Sequence, residues 1–188
     1  MAGFDHFTHL APFYDRAIPF TTLERFLEHG KFSETDFVLD AGGGTGRVAS
    51  ALAPYVKKVV VADLSQGMLV QADQKGLDAV HSPVESLPFR DNVFDRIVMV
   101  DALHHVCNQQ EAADEMWRVL TPAGMIVIQE PDVRHFSVKL IALAEKIAFM
   151  RSHFLSPDRI AGLFKGLVCE IVQLDEDFST WILVRKPD

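Results

Sequence analysis

The sequence predicts an α/β fold in which a mainly parallel β-sheet carries helices on both faces. Short runs of apolar, mostly β-branched residues alternate with stretches of helical periodicity, which is typical of strands that are buried on both faces. The first of these runs ends in a glycine-rich turn that leads into a helix. With 188 residues, 48% of them hydrophobic, the chain is large enough for one well-filled core, so we expect a single domain.

The apolar runs predict five strands in the first part of the chain, near residues 36–40, 58–63, 78–82, 95–100 and 124–130. Helices are expected between them, near residues 46–54, 66–75 and 109–120. Residues 1–34 are expected to form helices over the mouth of a ligand site, and residues 132–166 an insertion after the fifth strand.

The last part of the chain predicts one short helix and two further strands. Ser156 and Pro157 are residue types preferred at the N-cap and at the first helical position, so a helix begins there. Cys169 to Leu174 and Thr180 to Val184 read as two strands, joined by an acidic turn.

The glycine-rich turn is the most informative feature of the chain. An apolar run ends in Asp40, and Ala41, Gly42, Gly43, Gly44, Thr45 and Gly46 follow it. Glycines at 42, 44 and 46 permit positive φ angles and allow a ligand to approach the bare backbone. The helix behind the turn directs its free N–H groups towards that ligand.

Two classes of ligand use such a turn, and the residues distinguish them. A dinucleotide site has the pattern G-x-G-x-x-G, whereas here Arg47 occupies the position of the third glycine. The pattern is instead D-x-G-x-G-x-G, beginning at Asp40. A carboxylate there would repel a pyrophosphate but suits an ammonium or sulfonium cation. Asp63, which closes the second strand, can accept hydrogen bonds from ribose hydroxyls in either class.

These motifs resemble the class I S-adenosylmethionine (SAM)-dependent methyltransferases. Further segments follow in the order expected for the ubiquinone/menaquinone-biosynthesis-like branch, the type 11 methyltransferases. The branch's "LPF…D-x-x-FD-x-V" pattern is similar to residues Val84 to Phe89 and Asn92 to Val100. Its "LHH" loop is similar to Asp101 to Val106, and its turn into strand five is similar to Leu120 to Gly124. The resemblance covers roughly residues 7–130. It implies a Rossmann-like seven-stranded sheet that is mostly parallel and is closed by a C-terminal antiparallel hairpin.

The resemblance also implies SAM as cofactor, with S-adenosylhomocysteine as product, and a set of cofactor-binding residues. These are Tyr14, Asp40, Ala41, Gly42, Gly43, Gly44, Gly46, Asp63, Leu64, Met68, Val84, Glu85, Asp101 and Ala102. Asp40 either meets the methionyl ammonium or caps N–H groups of the loop. Met68 either covers the adenine or is a buried helix residue.

Three residues are candidates for catalysis. His104 and His105 follow strand four, where ligands of open α/β sheets bind, and one of them is a candidate general base. The alternative is that one histidine packs structurally while the other binds loop backbone. Tyr14 lies in a segment similar to the family's "iA-x-x-YD" opening and can place its hydroxyl or ring near the methionyl end; otherwise it anchors the N-terminal helices. Glu130, at the end of strand five, is a candidate to orient substrate or accept a proton.

The expected organisation is a helical cap (residues 1–34), a SAM-binding core (35–131), a lid (132–166) and a closing hairpin (167–188). In the lid, aromatic and cationic groups are candidates to meet the substrate: His135, Phe136, Phe149, Arg151, His153 and Phe154. The apolar stretch Val138 to Met150 either packs on the sheet, lines a substrate tunnel or forms a dimer face.

Composition and charge restrict the class of protein. The net charge of −8 and the lack of a basic cluster beyond Lys57-Lys58 disfavour nucleic acid as a partner. No apolar run reaches the ~18 residues of a membrane span, and no secretory signal is visible at the start, so we expect a cytoplasmic protein. A homodimer is one possible assembly. Two adjacent histidines on an extended segment face opposite ways, so no metal site is expected.

The sequence therefore predicts an enzyme that transfers a methyl group from SAM to a small, partly apolar acceptor. A protein that binds SAM or S-adenosylhomocysteine without catalysis, as a partner subunit or sensor, is the alternative. A protein or nucleic-acid methyltransferase is disfavoured by the acidic surface. One departure from the family stands out: Pro83 occupies the position where an acid usually accepts the adenine amino group.

Overall fold

The computed structural model contains one seven-stranded sheet with the strand order β3-β2-β1-β4-β5-β7-β6. It describes residue 11 and residues 14–15, 20–136, 138–139 and 152–188. The strands are β1 (Phe37–Ala41), β2 (Lys58–Asp63), β3 (Asp78–His81), β4 (Phe94–Val100), β5 (Leu120–Pro131), β6 (Glu170–Glu176) and β7 (Ser179–Arg185).

Five α-helices that lie wholly within the described residues pack around the sheet. They are α1 (Leu23–Gly30), α2 (Arg47–Leu52), α3 (Gln66–Gln74), α4 (Gln109–Val119) and α5 (Pro157–Gly162). Two short 3₁₀ helices lie at Ala53–Tyr55 and Leu103–His105. Helix α5 begins where predicted, with Ser156 at the N-cap and Pro157 in the first turn.

The pairing of the strands confirms the predicted fold class. Strands β1 to β5 are parallel, and β7 lies antiparallel between β5 and β6. The chain moves outward from β1 through β2 to β3 and then crosses to β4 on the other side of β1. The order of the strands thus reverses between β1 and β4, and a crevice forms at such a point, at the carboxyl ends of the strands.

The hydrophobic core consists of two clusters, one on each face of the sheet, because successive side chains of a strand point to opposite faces. In β1, Leu39 and Ala41 pack with helices α4 and α5, whereas Val38 packs with helices α1, α2 and α3. The same alternation places Asp40 on the side of α2 and Glu130 on the side of α4, because successive side chains of a strand point to opposite faces. Both carboxyl groups are thereby buried at the end of a central strand.

Helix α1 corrects one part of the prediction that residues 1–34 lie over the mouth of the site, because residues 23–30 pack elsewhere. Phe26 of this helix is fully buried, and its ring lies 4.7 Å from that of Trp181 in β7. Arg25 forms ion pairs with Glu176 and Asp177 at the β6–β7 turn. This helix therefore covers a face of the sheet, because its apolar stripe matches the apolar surface of β5 and β7.

The approach to strand five also differs from its prediction. Residues 120–124 were expected to form a turn, whereas β5 already begins at Leu120, with a register shift against β4 between Phe94 and Arg96. Ala123 supplies the bend through a positive φ of 59°. Predictions for Phe149, Arg151 and most of the stretch 138–150 lie outside the described residues. Among the helices that are described, none has the length and apolar character needed to cross a membrane.

Candidate active site

The glycine loop between β1 and α2 has the backbone conformation that the sequence predicted. Gly42, Gly44 and Gly46 have φ angles of 69°, 55° and 71°. A Cβ atom on Gly42 would lie 2.8 Å from the Cβ atom of Ala102 in the loop after β4. The lack of a side chain at Gly42 therefore allows the loops after β1 and β4 to approach closely, and these two loops form a wall of the crevice.

Asp40 lies beneath this loop. Its side chain is buried, with the residue 1% exposed, and its Oδ2 accepts a hydrogen bond of 3.0 Å from the N–H of Ala49 in the first turn of α2. A Cβ atom on Gly43 would lie 2.5 Å from the Asp40 carboxyl carbon, so only glycine fits there. Burial raises the pKa of Asp40 to about 7, against the opposing effects of the Ala49 N–H and the Arg47 charge. The structure supports the capping alternative; contact with a ligand ammonium stays a prediction.

Asp63 holds the glycine loop as well as facing the crevice. Its Oδ2 accepts from Gly44 N–H at 2.9 Å and its Oδ1 accepts from Ser65 N–H at 2.7 Å. Each carboxylate oxygen has a second lone pair, so these bonds are compatible with ribose hydroxyls as further donors. Asp63 therefore also supports the backbone of the glycine loop, and its contact with a ribose stays a prediction.

The predicted adenine-side residues are divided between core and surface. Met68 is buried in α3 and its sulfur lies near Gly44, whereas Leu64 is exposed. The side chain of Val84 packs into the core. Glu85 accepts through Oε1 from the N–H groups of Cys107 and Asn108, and so holds the loop before α4.

Arg47 and Asp101 form an ion pair across the crevice. Nη2 of Arg47 lies 2.7 Å from Oδ2 of Asp101, and their side chains are 9% and 29% exposed. Asp101 follows β4 with a φ of 51°, a left-handed conformation that Asp adopts more readily than most residues. Burial raises the pKa of Asp101, Arg47 opposes that effect, and Glu130 adds to it.

His104 is bound by a buried carboxylate. Its Nδ1 lies 2.5 Å from Oε2 of Glu130, and the two side chains are 5% and 4% exposed. Oε1 of Glu130 accepts from the N–H groups of Ala102 and Leu103 at 2.9 and 2.8 Å. One carboxylate thus shapes the loop after β4 and orients the imidazole, and the ring of Phe154 stacks on that imidazole at 4.2 Å.

The two histidines correct the prediction that they face opposite ways. They lie in a 3₁₀ helix and not on an extended segment, so their ring centroids are only 4.0 Å apart. Nδ1 of His105 lies 3.3 Å from Oγ of Ser152. Burial and the neighbouring His104 lower the pKa of His105 to about 3. Within the described residues, no group of three or more His, Cys, Asp or Glu side chains could hold a metal ion.

The N-terminal segment reaches the glycine loop at Tyr14 and Asp15, both helical. Asp15 accepts a hydrogen bond from the Thr45 hydroxyl and forms an ion pair of 2.5 Å with Lys75, whose ammonium also donates to the Thr45 carbonyl. Tyr14 is partly buried beside this contact, and its roles in cofactor binding and catalysis stay predictions.

Two functional candidates were missed or incompletely described by the sequence. In the sequence pattern Arg47 only excludes a dinucleotide, and its position directly after the last loop glycine is the local signal for its place beside the loop after β4. Glu130 was recognised as a candidate without its partner His104. A common signal links Asp40, Asp63 and Glu130: each is an acid at the carboxyl end of an apolar strand.

Comparison with known families agrees with this geometry. Residues 39–128 match the model of a family described as a methyltransferase domain, type 11. The ubiquinone/menaquinone biosynthesis C-methyltransferase UbiE of Coxiella burnetii (strain RSA 493 / Nine Mile phase I) is 38% identical over 104 residues, which cover 50% of this chain and 42% of that protein. A demethylmenaquinone methyltransferase of Clavibacter sepedonicus is 39% identical over 98 residues, covering 50% of this chain and 40% of that protein. The matches thus span less than half the length of these curated relatives.

Among solved structures, the complex between the Haloferax volcanii Trm112 methyltransferase activator and a candidate methyltransferase contains a chain with the same fold. The TM-score is 0.80 at 17% identity, and the superposition covers 100% of both chains. Residues 39–128 therefore form a type 11 methyltransferase domain of the class I SAM-dependent family, and SAM is the cofactor of that domain.

Proposed function

We propose that this protein transfers a methyl group from SAM directly to a ring carbon of a small, partly apolar acceptor, and that His104 takes up the ring proton. The buried pair of His104 and Glu130 at the crevice is the observation that carries the proposal. The names of the two relatives, a C-methyltransferase and a demethylmenaquinone methyltransferase, support a quinol-like ring as the acceptor.

The residues at the crevice fit such a donor. SAM supplies a methyl group already activated on a cationic sulfur, so the protein mainly has to align the reactants and exclude water. The glycine loop offers close approach to its backbone, and Asp63 offers acceptors for a ribose. Carboxylates at Asp63 and Asp101 suit a ligand that carries positive charge.

Methylation at an aromatic carbon needs a proton acceptor. When the new carbon–carbon bond forms, the ring carbon still carries its hydrogen, and loss of that proton restores aromaticity. A hydrogen bond from Nδ1–H of His104 to Glu130 keeps the proton on Nδ1 and assigns proton uptake to Nε2. The carboxylate also stabilises the imidazolium that results.

His104 is the better candidate of the two histidines. A pKa of about 3 makes His105 a weak base, since an efficient base has a pKa close to the working pH. His105 instead binds Ser152, and so connects the loop after β4 to residues 152–154. We assign His105 a structural role.

The test incubates the protein with SAM and a panel of reduced, short-chain prenylated naphthoquinones and benzoquinones. The reaction is measured by the S-adenosylhomocysteine released and by the mass of the product. We expect turnover to fall at low pH, where the imidazole is already protonated and no longer takes up the ring proton. His104→Gln should lower kcat roughly a hundredfold while affinity for S-adenosylhomocysteine stays within threefold. His105→Gln is the matched control, with near-normal kcat. Equal kcat in all three proteins would refute the role of His104.

The non-catalytic alternative has a distinct outcome in the same test. Binding of SAM by calorimetry, together with no methylated product from any acceptor in the panel, would favour a SAM-binding partner or sensor. The Haloferax neighbour occurs in a complex with an activator, so the panel should be repeated with a Trm112-type protein added. The homodimer, the cytoplasmic location and the division into cap, core, lid and hairpin are parts of this proposal that await their own tests.

A further inference from the structure

Residues 152–154 are fastened to the short 3₁₀ helix that carries the two histidines. The N–H of His153 donates to the carbonyl of His104 at 2.6 Å. Gln109, the first residue of α4, donates through its side-chain amide to the carbonyls of Leu103 and His153, at 2.9 and 2.7 Å. The amide nitrogen of a glutamine carries two hydrogens, so both bonds form together. The backbone of this segment is thereby held against the loop after β4.

This fastening places an aromatic ring on the imidazole of His104. The centre of the Phe154 ring lies 4.2 Å from the centre of the imidazole, and the two ring planes differ by 11°. The side chain of His104 is 5% exposed, so the contact is shielded from water. A ring stacked on the face of the imidazole does not cover its edge, where both nitrogen atoms lie. The stack is therefore compatible with proton uptake at that edge.

Two contacts together define the orientation of the imidazole. The hydrogen bond between Nδ1 of His104 and Glu130 fixes one point on the edge of the ring, but it permits the ring to tilt about that point. A flat contact on the face opposes the tilt, because a tilted imidazole would collide with the phenyl ring along one side. Phe154 thus fixes the direction in which Nε2 points, which Glu130 alone does not.

The stack also responds to the charge of the imidazole. A cation within about 6 Å of the centre of an aromatic ring is attracted to the face of that ring, and more strongly where water is excluded. The ionisable groups around His104 are Glu130 on β5, Asp101 at the end of β4 and His105 beside it. The face of Phe154 adds to them an attraction for the imidazolium that requires no further carboxylate.

We propose that Phe154 is a positioning residue for the proton transfer: its ring sets the plane of the His104 imidazole and stabilises the imidazolium that forms. The inference rests on His104 as the base of the proposed function. It extends that function to the segment after the fifth strand, which then supports the base through Phe154 as well as bordering the crevice.

The decisive variant carries trifluorophenylalanine in place of Phe154. Fluorine withdraws electron density from the face of the ring while the shape of the side chain changes little, so the attraction for a cation is weakened and the packing is kept. Phe154→Leu removes the aromatic face but retains an apolar cover, and Phe154→Tyr is the conservative replacement that restores the face. Phe178→Leu is the matched control, because that ring is 61% exposed at the β6–β7 turn.

NMR of the histidine ring nitrogens measures the protonation of His104 in the protein alone, with signals assigned by their loss in His104→Gln. At a fixed pH within the titration, the ratio of imidazolium to imidazole should fall about 3- to 30-fold in the trifluorinated and Leu proteins. We expect kcat to fall by a similar factor, with affinity for S-adenosylhomocysteine within about threefold of wild type. Phe154→Tyr and Phe178→Leu should match wild type in all three measurements.

The outcomes separate this inference from the proposed function. An unchanged protonation ratio in the trifluorinated protein refutes the inference, even if kcat falls, because Phe154 then only covers the site. If the ratio falls but wild type methylates no acceptor, Phe154 does stabilise the imidazolium and it is the proposed reaction that fails. Urea unfolding of each variant shows that the fold persists, and the trifluorinated protein decides the matter if Phe154→Leu does not fold.

Discussion

Among single residues, Asp40 shows how burial and hydrogen bonding oppose each other at the site. The carboxyl group is held beneath Gly43, where Ala49 N–H is its donor and its Oδ1 has no hydrogen-bond partner among the described residues. Desolvation outweighs the favourable contacts, so its pKa rises from 3.8 to about 7. The folded protein thus favours the protonated, neutral carboxyl group more than the unfolded chain does, because ionisation is costly where the group is buried.

This shift predicts a specific dependence of stability on pH. Between the unfolded pKa of 3.8 and the folded value of about 7, the unfolded chain binds fewer protons, so the free energy of unfolding falls as pH rises and levels off above 7. Asp40→Asn removes this term. Between pH 5 and pH 8, the free energy of unfolding of the variant minus that of wild type should increase by about 2–3 kcal/mol. Urea unfolding without SAM measures this difference.

Asp73, which is exposed in α3, provides the control for this measurement. The difference between Asp73→Asn and wild type should stay within about 0.5 kcal/mol at each pH, as for most surface substitutions. A constant difference between Asp40→Asn and wild type from pH 5 to pH 8 would show that Asp40 is ionised throughout and that its burial is compensated in another way.

Among the elements, the loop after β3 carries the departure from the family pattern. The Ser82 hydroxyl lies 2.8 Å from the carbonyl oxygen of Ser86 and 3.0 Å from that of Pro83, and its one hydrogen can be donated to either. Ser86 N–H donates to the Pro83 carbonyl. The loop therefore satisfies its own polar groups, while Glu85 holds the loop before α4. The adenine amino group is then expected to rely on backbone and apolar contacts, with the N–H of Val84 serving the adjacent ring nitrogen.

Pro83→Asp should restore a side-chain acceptor at this position. Pro83 is exposed, so the new carboxylate is not buried by the protein itself. A charge-assisted bond of ~1.5 kcal/mol would tighten SAM binding about tenfold. Loss of the proline makes the loop less rigid and should offset part of this gain. Titration of SAM into both proteins measures it. Pro83→Ala separates the two effects, because it removes the ring without adding a charge; equal or weaker binding by the Asp variant than by the Ala variant would contradict the prediction.

At the scale of the whole molecule, helix α1 packs on β7, a strand about 150 residues later in the chain. Phe26 lies between the rings of Phe20 and Trp181, and the ring of His29 also contacts Trp181 at 5.2 Å. Phe26 and Trp181 belong to the same core cluster as Val48, Ala49 and Leu52 of α2, the helix that follows the glycine loop. The integrity of the site therefore depends on packing far from the chemistry.

Phe26→Ala should lower the free energy of unfolding by about 3–5 kcal/mol, because a fully buried ring is removed and a cavity remains. Phe178→Ala is the matched control, since that ring is 61% exposed and its loss should cost far less. Urea unfolding measures both. A loss below about 1 kcal/mol for Phe26→Ala would mean that α1 is not part of the cooperative unit.

Most of the sheet was predictable, because strands buried on both faces appear as apolar runs with clear ends. The predicted runs near 58–63 and 95–100 correspond to β2 and β4, and the glycine spacing predicted positive φ at Gly42, Gly44 and Gly46. These properties are local: periodicity and glycine conformation are set by neighbours in the chain. The position of α1 was not predictable in the same way, since an amphipathic helix shows that a stripe is buried but not which surface buries it.

The sequence by itself determined the fold class, the family and the positions of the acids that end the strands. Only the tertiary structure decided what those acids bind. Glu130 and His104 are 26 residues apart, and Arg47 and Asp101 are 54 apart, so no local pattern links either pair. They meet because β4 lies between β1 and β5, and because parallel strands bring their carboxyl ends to one edge of the sheet.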